Sequence, residues 1–110
     1  MQLSTQDILL LMWLAVIRLD LLVPGSRSLK DRRQAVKSLK ERLKHRYEVA
    51  CAEVGGLDSW NRASLGLAAV ANEKALLQDL ASAVIRYTQN DPHVQLTGVE
   101  KDFFSYVDSH

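Results

Sequence analysis

A four-stranded antiparallel sheet covered on one face by two helices is the fold predicted for this chain. Three observations predict it. Four segments alternate in hydrophobicity or are rich in β-formers, two others carry apolar residues at helical spacing, and turn or capping residues separate them. The 110 residues suit one domain, and 47% hydrophobic with 25% charged residues is the balance of a globular chain that buries one modest core.

The first strand is read at Trp13 to Leu21, where the odd positions Trp13, Ala15, Ile17, Leu19 and Leu21 are apolar and the even ones include Arg18 and Asp20. Pro24-Gly25 ends it. Ser28 then caps a helix running to about Arg46, with Asp31 in the capping-box position and Leu29, Val36, Leu39 and Leu43 as its apolar stripe. Tyr47 to Val54 and Ala63 to Ala71 are the two strands of a hairpin turned at Gly55-Gly56. Asn72 is the expected cap of a second helix, which carries Leu76, Leu77, Leu80, Val84 and Tyr87 and stops at Asn90-Asp91-Pro92. Val94 to Phe103 completes the set, with a bulge expected at Gly98.

The order β-α-β-β-α-β is that of the ferredoxin-like, split βαβ fold, an α+β class in which both helices share one sheet face. The opposite face then shows Leu14, Val16, Arg18 and Asp20, then Ala50, Ala52 and Val54, then Ser64, Gly66, Ala68 and Val70. It is small-residued and mildly apolar, suited to pairing with a second copy as a homodimer. The domain is placed at residues 12–104, with 105–110 as a C-terminal tail and 1–11 as a disordered N-terminal appendage. Met12 is an alternative start, and Ser4 with Asp7 is a competing cap for a short helical turn.

Location and chemistry are bounded by what the composition excludes. The apolar run Ile8 to Ile17 is about half the roughly 20 residues needed to span a bilayer, and no basic residue precedes it as in a secretory signal. A single cysteine, Cys51, forms no internal disulfide, so a cytoplasmic protein without membrane contact is expected. Cys51 reads as a buried small apolar side chain. His45, His93 and His110 lack metal-ligand spacing, and no nucleophile-elbow, P-loop or dinucleotide fingerprint occurs. No cofactor, metal or catalytic residue is assigned, and a non-enzymatic protein is expected.

The charge distribution is the most informative functional feature. Residues 27–46 hold nine Lys/Arg against two acids, while the rest of the chain holds five against eleven. The formal net charge of +1 therefore hides a dipolar molecule. At 100° per residue Lys30, Arg33, Lys37, Lys40 and Lys44 fall on one arc of about 80° and span about 21 Å of helix. Such a ridge suits a phosphate backbone, and the competing reading is an ordinary solvated helix face. Trp60 beside Arg62 is a candidate stacking platform for a base, against a simpler role as a hydrophobic plug at the hairpin mouth. Glu53 and Arg62 are read as a carboxylate–guanidinium pair, either structural or, in a minor reading, the site of a small enzyme.

The stretches SRSLKDRRQAVKSLKERL at 26–43 and VACAEVGGLDSWNRASLGLAAVANEKA at 49–75 resemble the YlxP-like family of small bacterial proteins of unknown function. The similarity covers about Met12 to Asp102 and rests on Ser28-Leu29-Lys30, Arg32-Arg33, Ala52-Glu53-Val54, Trp60, Arg62-Ala63 and Leu65-Gly66. The residues before Met12 and the Gly55-Gly56 turn depart from it. The resemblance implies a ferredoxin-like fold, and a setting beside translation-initiation and ribosome-maturation proteins. The expectation is an accessory protein that binds structured or ribosomal RNA through Lys30, Arg33, Lys37, Lys40, Lys44, Trp60 and Arg62. The alternative is a homodimeric interaction module whose ridge meets an acidic protein.

Overall fold

The computed structural model describes residues 9–56 and 58–109; the proposed cap of Ser4 with Asp7 lies outside them. The elements are β1 (Leu9–Leu22), α1 (Leu29–Arg46), β2 (Ala50–Gly55), β3 (Arg62–Ala71), α2 (Lys74–Gln89) and β4 (Gln95–Ser109). They form one sheet of order β2-β3-β1-β4 with every neighbour antiparallel, which is the ferredoxin-like topology.

Period-two alternation on β1 and β3 sets the core. Ala15, Ile17, Leu19 and Leu21 stand opposite Ala69, Leu67, Leu65 and Ala63, and all eight are buried toward the helices. Val36, Leu39 and Leu43 of α1 and Leu77, Ala81 and Val84 of α2 close over them. Burying a Val- or Leu-sized side chain is worth about 1.5 to 3 kcal/mol, so this layer contact is the main source of stability. α1 packs on β2 and β3, whereas α2 packs on β1, β3 and β4.

Ser28 caps α1 as expected: the Asp31 N–H donates to Ser28 Oγ at 3.2 Å, and the Asp31 carboxylate accepts from the Arg27 N–H at 3.1 Å. A bulge is also found, at Thr97 and not at Gly98. Asp20 pairs with Gly98 and Leu21 with Leu96, leaving Thr97 as the extra residue, its hydroxyl donating to the Asp20 carbonyl at 3.1 Å.

Several boundaries and stripes differ from the expectation. Helix α2 is capped by Glu73 rather than Asn72, without a side-chain hydrogen bond. Tyr47 belongs to the end of α1, its N–H donating to the Leu43 carbonyl at 2.9 Å, so β2 begins only at Ala50. Leu76 is half exposed, because the buried stripe of α2 is Leu77, Ala81, Val84 and Thr88. Both long strands run past the boundaries expected at Met12 and Phe104. Leu9 to Met12 pair with Tyr106 to Ser109, beyond the point where β3 ends opposite Trp13.

Candidate nucleic-acid interface

The ridge of α1 lies on the flank turned away from α2. Arg42, about 180° around the helix from Arg33 by the helical period, faces α2 and bonds Tyr87 on it and Asp91 just beyond its end. The ridge therefore runs along the outer side of the layer, above the edge strand β2. Lys40 and Lys44 lie near enough to Cys51 on that strand to draw its thiol toward ionisation, although burial dominates and pushes it up. Lys30, Arg33, Lys37 and Lys44 are exposed and Lys40 is half-buried. None of the five enters an ion pair among the described residues.

Two other basic residues of α1 serve the interior. Arg32 occupies the buried stripe at the place expected for Leu29, which is 38% exposed, while Arg32 is 1% exposed. Its Nε donates to the Arg62 carbonyl at 2.7 Å, and its Nη2 donates to the Gly56 carbonyl at 2.8 Å and to the Glu53 carboxylate. Glu53 thus pairs with Arg32 and not with Arg62, correcting the pair read from the hairpin. Strand parity explains this: Glu53 stands opposite Leu65 and faces the helices, where Arg32 is the cation in reach. A cleft of about 340 Å³ beside Arg62 is lined by Asp20, Gly56, Ser64 and Thr97, and Glu53 does not line it. The spacing 32, 36, 39, 43 held the signal for Arg32, a cation in phase with three apolar residues.

The hairpin loop is tied to the start of α1. Ser26 Oγ donates to the Trp60 carbonyl at 2.5 Å, and Arg32 holds the Arg62 carbonyl. Ser59 Oγ accepts the Arg62 N–H at 3.0 Å and so closes the turn. Trp60 and Arg62 are consequently fixed at the same end of the molecule as Lys30 and Arg33. Trp60 is 53% exposed, so it is not a plug at the hairpin mouth. Its ring and the basic flank provide the two ingredients used on single-stranded or looped nucleic acid, a π-face and phosphate-neutralising cations.

At the far end of α1, Asp91 is wholly buried as a side chain. It accepts from Arg42 at 2.6 Å and from the His93 and Val94 N–H groups at 2.7 and 3.1 Å. Burial alone would push its carboxyl up, but these donors outweigh it and hold Asp91 below the usual carboxylate range. Arg46 lies 5.3 Å from the Tyr87 ring centre and 6.0 Å from that of Tyr47. This cluster locks the helix ends together. Among the described residues no group of three or more His, Cys, Asp and Glu is placed to hold a metal ion, and no helix is long and apolar enough to cross a membrane.

Comparison with known proteins agrees with this architecture. The model of a family described as a protein of unknown function, DUF503, matches residues 14–101. The uncharacterised protein YlxP of Bacillus subtilis (strain 168) is 27% identical over 77 residues, covering 70% of this chain and 84% of the relative. Among solved structures, the de novo designed protein Foldit4 superposes with a TM-score of 0.51 at 14% identity, covering 84% of this chain and 96% of that one, a likeness of fold alone. Sequence, register and topology converge, and the chain belongs to the DUF503 family, whose YlxP-like members are small bacterial proteins of unknown function.

Proposed function

We propose that this protein is a non-enzymatic cytoplasmic accessory factor that binds structured RNA, ribosomal RNA foremost, through the outer flank of α1. One observation carries the reading: five cations, Lys30, Arg33, Lys37, Lys40 and Lys44, share a flank about 21 Å long without an ion pair among the described residues. Among the described residues the ion-paired cations are Arg18, Arg32 and Arg42, and what sets the ridge apart is that its five unpaired cations share one flank. Cations left free in a row match a row of phosphates, whose neutralisation releases counterions without reading sequence. Trp60 and Arg62 add a stacking surface at one end of the row, which favours RNA with unpaired bases near a helical stem.

Sedimentation of the native protein with ribosomal subunits tests this. Co-sedimentation at about 50 mM salt with release at several-fold higher salt is expected, since phosphate contacts weaken steeply over that range. Protein that stays in the supernatant at low salt would remove the ribosomal reading, and failure to bind a stem-loop RNA as well would remove the RNA reading altogether.

A further inference from the structure

The sheet face away from the helices has no covering layer, and its relief divides into two unlike halves. On the β1–β4 half, Phe104 stands opposite Leu14 and Tyr106 opposite Met12, and the two rings are 51% and 52% exposed. On the β2–β3 half, Ala50 faces Ala68 and Ala52 faces Gly66, and between Val16 and Val54 these small residues floor an apolar groove of about 350 Å³. Aromatic knobs and a small-residue groove therefore lie side by side on one surface. That arrangement is the requirement for an isologous contact, in which a two-fold axis brings each half onto its opposite.

We propose that this face is the interface of a homodimer, with Phe104 and Tyr106 of each copy seated in the groove of the other. Relief and area single out a second copy as the occupant. Four strands about 4.8 Å apart and eight residues of about 3.3 Å rise make a face of roughly 500 Å² in projection. Side-chain relief and a polar rim bring this toward the about 800 Å² per partner of a stable interface. Val16, Val54 and Val70 are 44%, 57% and 62% exposed, and with the two rings they form an apolar patch of the kind that marks an interaction site. The one cation of the face is paired within one copy: Arg18 meets Asp20 at 3.2 Å and Glu100 at 2.9 Å, and Asp20 accepts from Ser64 Oγ at 2.7 Å. A second identical face thus closes over it without stranding a cation, provided that the exposed acids Glu100 and Asp102 on the edge strand β4 stay at the solvated rim. The helices point outward, so each dimer carries two basic ridges on opposite sides. Dimerisation through this face is independent of RNA binding by the ridges.

Light scattering and sedimentation on the intact protein at micromolar concentration test it. The wild type should be a dimer, and Phe104→Arg and Ala68→Glu should each give a monomer with unchanged far-ultraviolet circular dichroism. An equimolar mixture of the two variants should regain a dimer, because the introduced guanidinium of one copy then meets the introduced carboxylate of the other while the second contact remains wild type. Should Ala68→Glu fail to fold, Ala52→Glu on the exposed edge strand replaces it. A monomeric wild type, a Phe104→Arg protein that remains dimeric, or two folded variants that do not recombine would each overturn the proposal.

Discussion

Arg32 and Glu53 form a charge pair across the helix–sheet interface, the guanidinium side chain 1% exposed and the carboxylate side chain 22% exposed. The same guanidinium holds the Gly56 and Arg62 carbonyls, so one side chain joins α1 to both strands of the hairpin. Removing one member of a buried pair leaves the other uncompensated, at a cost of about 3 to 5 kcal/mol. Arg32→Met should fall in that range by urea denaturation. Glu53→Gln should fall in the same range, because it leaves the buried Arg32 guanidinium with carbonyl acceptors but no counter-charge. A double variant no worse than Arg32→Met alone would reveal the coupling.

The hairpin turn depends on Gly56, whose φ of 75° lies in the left-handed region. A β-carbon there would stand 2.7 Å from the Arg62 carbonyl oxygen, the atom Arg32 binds. Gly56→Ala should destabilise by more than about 1 kcal/mol, from backbone strain and displacement of that acceptor together. Gly25→Ala, where a β-carbon meets nothing within 4 Å, is the matched control in thermal unfolding.

Asp91 makes stability pH-dependent in acid. Its folded carboxyl is held below the unfolded value, by Arg42 and two backbone donors against the opposing effect of burial. The folded state therefore gains from the ionised group above the unfolded value of about 3.9, and that gain is lost as pH falls through the lower folded value. Asp91→Asn should cost about 1 to 3 kcal/mol at pH 7, and its difference from wild type should shrink in urea titrations below about pH 4.

Cys51 should alkylate slowly. Burial pushes its thiol up, with Lys40 and Lys44 only partly opposing. Iodoacetamide at about pH 8 should therefore modify the native protein far more slowly than the urea-unfolded chain, and Lys40→Gln should slow it further. Equal native and unfolded rates would contradict the packing of Cys51 against the core.

For the ridge, the slope of log K against log salt on a stem-loop RNA should be about −2 to −4, as for three to five neutralised phosphates. Each single Lys→Gln change should reduce it by about one unit. Reversing Lys37 and Lys40 together to Glu should weaken binding severely. The same reversal at Lys74 and Lys101, on other elements, should matter far less, apart from the loss of Lys74 above the Trp13 ring. Equal effects from the two pairs would reduce the ridge to a solvated helix face.

The sequence by itself determined the order of elements, the buried faces of β1 and β3, the Ser28 cap and the angular position of the ridge. Each follows from short-range periodicity or local hydrogen bonding, which a few neighbouring residues suffice to specify. Only the tertiary structure decided which polar groups meet. Glu53 was legible as an inward-facing carboxylate and Arg32 as a cation in phase with Val36, Leu39 and Leu43, but their meeting depends on how α1 is set over the hairpin. Arg42 with Asp91 is the same case across 49 residues. Trp60 follows suit, since its exposure depends on Ser26 reaching across 34 residues to hold the loop. Pairings of this kind arise when packed layers bring distant groups within about 3 Å, a distance no local pattern encodes.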